Sequence, residues 1–276
     1  MDNVLIVAGK EVRDDLRSRW TVGLSVVFIA LALSIIYFGG AAAGQAGFTS
    51  FGAILASLTT LAAFVIPLMG LLIAYDTVVG EREAGTLLLL LSYPLAPSEL
   101  LSGKLLGHSV TLAVAIVAGF GLACGISQIF TPTARSIAVW VDLGGFMLSA
   151  ALLGASFAGI GCLISVLTRE KARAAGLALV AWFLLVILFD LVLLFILVAS
   201  GGDAIERAVF PYLLLLNPVD VFRLVNLVGL KGAGNTFFLS MTAGQAYPRL
   251  VLWAAAAGWV LLPFSLALVA FRKQEI

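Results

Sequence analysis

Hydrophobic residues in this chain fall in long unbroken runs, without the strict alternation or amphipathic 3.6-residue period of a soluble domain. A bilayer core about 30 Å thick needs about 20 apolar residues in helix. Six segments meet that length: roughly 20–40, 54–78, 105–130, 139–167, 176–199 and 250–270. Several carry small residues about four apart (Gly154, Ala158 and Gly161; Gly121 and Gly125), a spacing that lets helices approach closely within one bundle.

Other stretches break the pattern. Residues 3–19, NVLIVAGKEVRDDLRSR, set Val4, Ile6, Val7, Val12 and Leu16 against Lys10, Arg13, Asp14, Arg17 and Arg19. That is the pattern of an amphipathic helix at the membrane interface, and equally of a basic topology signal. Residues 75–97, YDTVVGEREAGTLLLLLSYPLAP, place Glu81, Arg82 and Glu83 between two glycines and follow them with five leucines. Thr86 to Tyr93 make about two helical turns, too apolar to stay solvated and too short to span. The leucines bury either under their own membrane domain or in a groove on a separate chain, and the sequence leaves both open. Residues 200–249 form a long mixed loop in which Pro211 and Pro218 interrupt an apolar stretch. Its residues 208–216 can enter a leaflet only where protein satisfies the freed backbone groups. We expect a compact cap of short helices with an exposed face, on which Asn217, Pro218, Asp220 and Arg223 are candidate partner contacts.

Composition agrees: 62% of residues are hydrophobic and 11% charged, against roughly 25% charged in a soluble domain. A net charge of +1 supplies no field for nucleic acid. The first run follows Lys10, Arg13, Arg17 and Arg19 and precedes Ala41-Ala42-Ala43, but it is longer than the hydrophobic region of a signal peptide, so it reads as an uncleaved anchor. Segments 1–19, 79–104, 168–175 and 271–276 hold 11 Lys and Arg; the opposite set, 41–53, 131–138 and 200–249, holds 5. That bias predicts both termini in the cytoplasm and the 200–249 loop outside.

Catalytic chemistry is scarce. Gly103-Lys104 is followed by Leu105, and position 98 is Ser, so no phosphate loop forms; HExxH, GxSxG and calcium-loop patterns are absent. His108 is the single histidine, Cys124 and Cys162 make no CxxC pair, and Met69, Met147 and Met241 are scattered. We expect no enzymatic activity, metal site or cofactor of the chain's own. The exception is Asp190, about 21 Å into the fifth run. A carboxylate there is costly unless protonated, hydrated or paired, so it reads either as a functional polar site or as a carboxyl bonding a neighbouring helix. Asp76 sits at the inner end of the second run, where capping or pairing suits it.

Residues 79–94, VGEREAGTLLLLLSYP, resemble the signature of ABC-2-type permeases, in which a Glu-rich Gly-Thr-Leu segment follows the second of six spans. The N-terminal amphipathic helix, LLNPVDVFR (215–223) and the basic FRKQEI terminus extend that resemblance over nearly the whole chain. A narrower resemblance is to the NosY-type permeases, membrane subunits of the nitrous oxide reductase maturation transporter. It rests on GQAGFTS (44–50), TLLLLLSYP (86–94), TREKARAAGLALVAWFLLVILFDL (168–191), FPYLLLLNPVDVFRLVNL (210–227) and MTAGQAYP (241–248).

The resemblance implies an all-α, six-span fold of the type V ABC exporter kind, forming one transmembrane domain over 1–276 in the inner membrane. It implies a second copy of the chain, a cytoplasmic NosF-type ATPase carrying ATP and Mg, a periplasmic NosD-type protein, and a role in copper–sulfur centre assembly during denitrification. The family's coupling segment falls here on Glu81, Glu83, Gly85, Thr86, Leu87 and Leu88. The scarcity of metal ligands favours a small sulfur species, or purely mechanical transmission, over copper passage. A general ABC-2 export permease for lipid-linked or drug substrates, and a proton-coupled carrier using Asp190, are the alternatives.

Overall fold

A computed structural model describes residues 2–38, 51–130, 137–200, 210–227 and 248–273, and all regular structure in them is helical. In chain order these are α1 (Asp2–Arg17), α2 (Arg19–Phe38), α3 (Phe51–Ala74), α4 (Val79–Glu83), α5 (Leu87–Leu91), α6 (Pro97–Phe130), α7 (Ile137–Leu167) and α8 (Lys171–Phe183). A π-helical turn, Leu184–Leu188, carries α8 into α9 (Phe189–Ser200); α10 (Pro218–Leu227) and α11 (Arg249–Arg272) follow. Among the described residues five helices are long and apolar enough to cross a membrane, and α1 with α2 adds a sixth if that bent pair is one span. The pair bends by 71° between Arg17 and Arg19, which turns amphipathic α1 away from the apolar run. The sequence motifs at 44–50 and 241–247, Ala41–Ala43, Arg135, Arg207 and Lys231 lie outside the described residues.

At the centre of the bundle α3 packs on α7 through small residues. A Cβ added to Gly70 would stand 2.7 Å from Gly154 O and 3.1 Å from Ala158 N; one added to Gly161 would stand 3.1 Å from Ala74 Cβ. The Gly154–Ala158–Gly161 spacing is therefore an intramolecular seam, as expected of such spacing. The Gly121 and Gly125 pair is not: Gly121 comes near only Met147 Cε at 3.8 Å, and Gly125 faces open space. On α6 the tight positions are Gly103 and Gly107, where a Cβ would meet Val7 Cβ and Glu11 Cβ, each at 2.6 Å. The absence of side chains there lets α1 lie directly on the α6 backbone. Across the bundle Phe28, Phe120, Phe146 and Phe222 form a row, with successive ring centroids 4.9, 4.7 and 6.0 Å apart.

Helix α10 corrects the expected cap. Asn217, Pro218, Asp220 and Arg223 are all buried rather than displayed on an outer face, because α10 packs inward against α3, α7 and α11. Asn217 caps α10, its Oδ1 accepting from Val219 N–H at 3.0 Å, with Pro218 at the first helical position. Its Nδ2 donates to Leu185 O at 2.7 Å, inside the π turn where regular helical bonding is interrupted. Trp259 Nε1 donates to Leu215 O in the turn before α10, at 3.0 Å. Asn226 Nδ2 bonds Ser149 Oγ on α7 at 2.8 Å. Buried irregular backbone thus finds donors within the chain.

Gly70→Ala should cost about 1–3 kcal/mol of overpacking and lower the thermal unfolding midpoint of the detergent-solubilised protein, whereas Gly125→Ala should leave it unchanged. Equal effects would show that the α3–α7 contact is not the tight one.

Candidate coupling segment and buried ion cluster

The charged end of the bundle is assembled around α4 and α5. α3 ends at Ala74, and a turn leads into α4, whose N-cap, Val78, has no capping side chain of its own. Ser165 on α7 supplies the cap: its Oγ accepts from Val78 N–H and Val79 N–H at 2.9 and 3.0 Å. At the other end Gly85 has φ +71°, the positive value that a residue with Cβ rarely adopts. Gly85 N–H bonds Arg82 O at 3.2 Å and Thr86 N–H bonds Glu81 O at 2.9 Å. This is the Schellman arrangement, which ends α4 after little more than one turn and redirects the chain into α5.

Charges then clamp α4 from both sides. Lys104 of α6 is buried, with Nζ 2.6 Å from Glu81 Oε1 and 2.8 Å from Glu11 Oε1 of α1. One turn further along, His108 Nδ1 lies 2.8 Å from Asp15 Oδ2, and Nε2 3.0 Å from Thr77 Oγ1. Thr77 donates its own proton to Ala74 O, so its hydroxyl ties the end of α3 to the His108 ring. On the opposite side Arg82 Nη1 donates to Thr168 O at 2.6 Å. Glu83 Oε1 accepts from Lys171 N–H at 2.6 Å and so caps α8, whose N-cap Glu170 makes no side-chain cap. Asp76 Oδ2 pairs with Lys171 Nζ at 2.7 Å, which places Asp76 as an end-of-helix partner. Burial pushes the Glu11 carboxyl up, but Lys104 first, then His108 and Lys10, outweigh it and hold its pKa below the ordinary value. Glu11 therefore contributes its stabilisation above its unfolded pKa and loses it as pH falls through the depressed folded value.

Helix α5 divides its leucines. Leu87 is 5% exposed and packs with Val78, Leu101, Cys162, Val166, Ala267 and Phe271, while Leu88 and Leu89 are 66% and 63% exposed and Tyr93 56%. Of the two burial options left open by the sequence, Leu87 takes the one under its own membrane domain, while Leu88 and Leu89 stay exposed on the same short helix.

Residues Glu11, Asp15, Lys104, His108 and Ser165 were not singled out from the sequence as a group. A signal existed. Two acids one turn apart on α1 face two bases one turn apart on α6.

At the far end of the bundle Asp190 is paired. Arg223 Nη1 lies 2.6 Å from Asp190 Oδ2 and 3.1 Å from Asp220 Oδ1. Asp190 is nineteen residues beyond Lys171 on the same continuous helix, or about 28 Å along it. Among the described residues no group of three or more His, Cys, Asp or Glu is placed to hold a metal.

Taken together, an apolar bundle with a short clamped segment at one end, and exposed leucines on that segment, describes the membrane part of a transporter. The chain belongs to the ABC-2 family transporter proteins, which it matches over residues 5–276. It is 45% identical over 276 residues to "Probable ABC transporter permease protein NosY" of Stutzerimonas stutzeri, with 99% of each chain covered. It is also 45% identical over 276 residues to the protein of the same name from Pseudomonas aeruginosa, with all of both chains covered. It is an ABC transporter permease, a multi-pass inner-membrane protein of a family that works with a partner ATPase.

Lys104→Met would leave Glu11 and Glu81 as buried carboxylates without their cation, and should cost about 3–5 kcal/mol. Adding Glu11→Gln and Glu81→Gln should recover much of the loss in unfolding measurements. No recovery would show that Lys104 acts through packing alone.

Proposed function

We propose that this chain is the permease of a transporter that supports copper–sulfur centre assembly in nitrous oxide reductase, driven by a separate ATPase. The observation that carries the reading is the clamped α4–α5 segment with Leu88 and Leu89 exposed on it. An apolar pair held on a rigid, charge-locked base is suited to a groove on another protein, where burial of its side chains favours association. Glu81, Glu83, Gly85, Thr86 and Leu87 then have a different task from Leu88. They fix the shape and depth of the segment, and Leu88, Leu89 and Tyr93 make the contact.

With both termini in the cytoplasm, this end of the bundle faces a NosF-type ATPase that holds ATP and Mg. A second copy of the chain provides the second docking segment, and the opposite end faces a periplasmic NosD-type protein. Closure of the ATPase pair pushes α5. Because Glu81 and Glu83 bind Lys104 and the start of α8, the push reaches α1, α6 and the fifth span as well as α3. The work done at the far end is the passage of a small sulfur species or a mechanical change in the periplasmic partner. The relatives' shared name and the family support this assignment.

Leu88→Asp and Leu89→Asp should leave membrane insertion and thermal unfolding unchanged while weakening ATPase copurification about tenfold or more, the effect of removing a central anchor. Leu87→Asp should instead destabilise the permease itself. Undiminished ATPase binding by both exposed-site variants would sink the docking assignment.

A further inference from the structure

Asp190, Asp220 and Arg223 leave a charge unbalanced. Two carboxyls share a single guanidinium, and both meet it at the same nitrogen, Nη1. Asp220 is 0% exposed and Arg223 is buried. The remaining oxygens, Asp190 Oδ1 and Asp220 Oδ2, are buried with no hydrogen-bond donor. Two ionised carboxylates here would carry one net negative charge in apolar surroundings, with two acceptor atoms unsatisfied, a state disfavoured by several kcal/mol. Among the described residues, the elements packed around the triad offer no second cation. Helix α3 has no charged residue, the π turn has none, and α7 carries only Asp142, which is exposed, and Cys162, which belongs to the cluster at the other end. On α11 the cations are Arg249 and Arg272, at its two ends and exposed, and Tyr212 before α10 is exposed.

We propose that this triad is a proton-binding site: one proton, shared by the carboxyls of Asp190 and Asp220, neutralises it and latches α10 to the fifth span. Asp190 Oδ2 and Asp220 Oδ1 converge on the same nitrogen, so the two carboxyls stand side by side, where a proton on one lets it donate to the other. On release the O–H bond breaks, the proton passes to solvent, and two carboxylates are left repelling each other beside one guanidinium. The latch sits next to the π turn at Leu184–Leu188, which Asn217 of the same α10 segment also holds. Loosening the triad therefore frees α10 from an already irregular part of the helix. Burial first, then the Asp190 charge, pushes the Asp220 carboxyl above the ordinary carboxylate range, with Arg223 opposing. A carboxyl raised in the folded state keeps its proton where the unfolded chain has lost it. Stability from this site is therefore full below the unfolded aspartate pKa and falls as pH rises through the folded value.

The test uses the full-length permease in lipid nanodiscs, with infrared difference spectra and thermal unfolding followed from acid to alkaline pH. Wild type should show the carbonyl stretch of a buried protonated carboxyl at neutral pH and lose thermal stability on alkalinisation. Asp190→Asn and Asp220→Asn should each abolish that band, because either leaves one carboxylate for one guanidinium, and each should flatten the pH dependence. A band that persists in either variant, or that wild type lacks, overturns the proposal. So does alkaline stability restored by sodium or potassium but not by choline, which would make the occupant a metal cation. The wild-type readings decide the matter even if a variant fails to fold.

Discussion

At several breaks between the described helices of this chain, a side chain from another element supplies the hydrogen bond that regular helix would have made. Ser165 covers the start of α4, Arg82 the carbonyl at Thr168, and Glu83 the first amide of α8. Asn217 and Trp259 do the same for Leu185 and Leu215 near α10. These few polar residues join elements distant in sequence, so each break is also a joint. The apolar faces add the bulk of the burial but are less selective about partners. The polar joints fix which helix end meets which.

The joint at α4 has an added constraint, because its donors and acceptors are charged. Lys104 is shared by Glu11 and Glu81, so the amphipathic α1 and the short α4 are held by one cation on α6. Glycines at 103 and 107 permit that arrangement by letting α1 approach the α6 backbone. A bulkier residue at either position would push α1 outward and lengthen the Glu11–Lys104 contact. Packing and electrostatics are therefore not independent here: the close approach makes the ion pair possible, and the ion pair offsets the cost of burying Lys104.

The helical class and the apolar spans were legible because a run of about 20 apolar residues has few other solutions. The amphipathic character of α1 was legible as well. Its docking site was not, since the matching bases lie on α6, some ninety residues away, and only the fold puts them opposite. Asp190 stood out by its apolar neighbours, but its partner Arg223 lies in a segment whose prolines and mixed composition suggested an outer cap. Pro218 proved to be the first residue of a buried helix, a position where its missing N–H is harmless. The five leucines were ambiguous for a different reason. A helix of that length presents one residue inward and its neighbours outward, so a uniformly apolar sequence cannot say which is which.

Between the two ends runs one continuous mechanical element. Glu83 caps its beginning at Lys171, and Asp190 lies on it beyond the π turn. A π turn carries one more residue than regular helical bonding accommodates, and can migrate or straighten with little loss of hydrogen bonds. Asn217 holds this turn by bonding Leu185 O, and Arg223 holds the helix just past it. Both residues belong to the same short segment, so the helix is pinned at its capped start and again at its irregular middle, with the stretch between them less buried and facing outward. Glu83 and Asp76 both bind Lys171 at the capped end, and the π turn farther along the same helix is where α10 is attached.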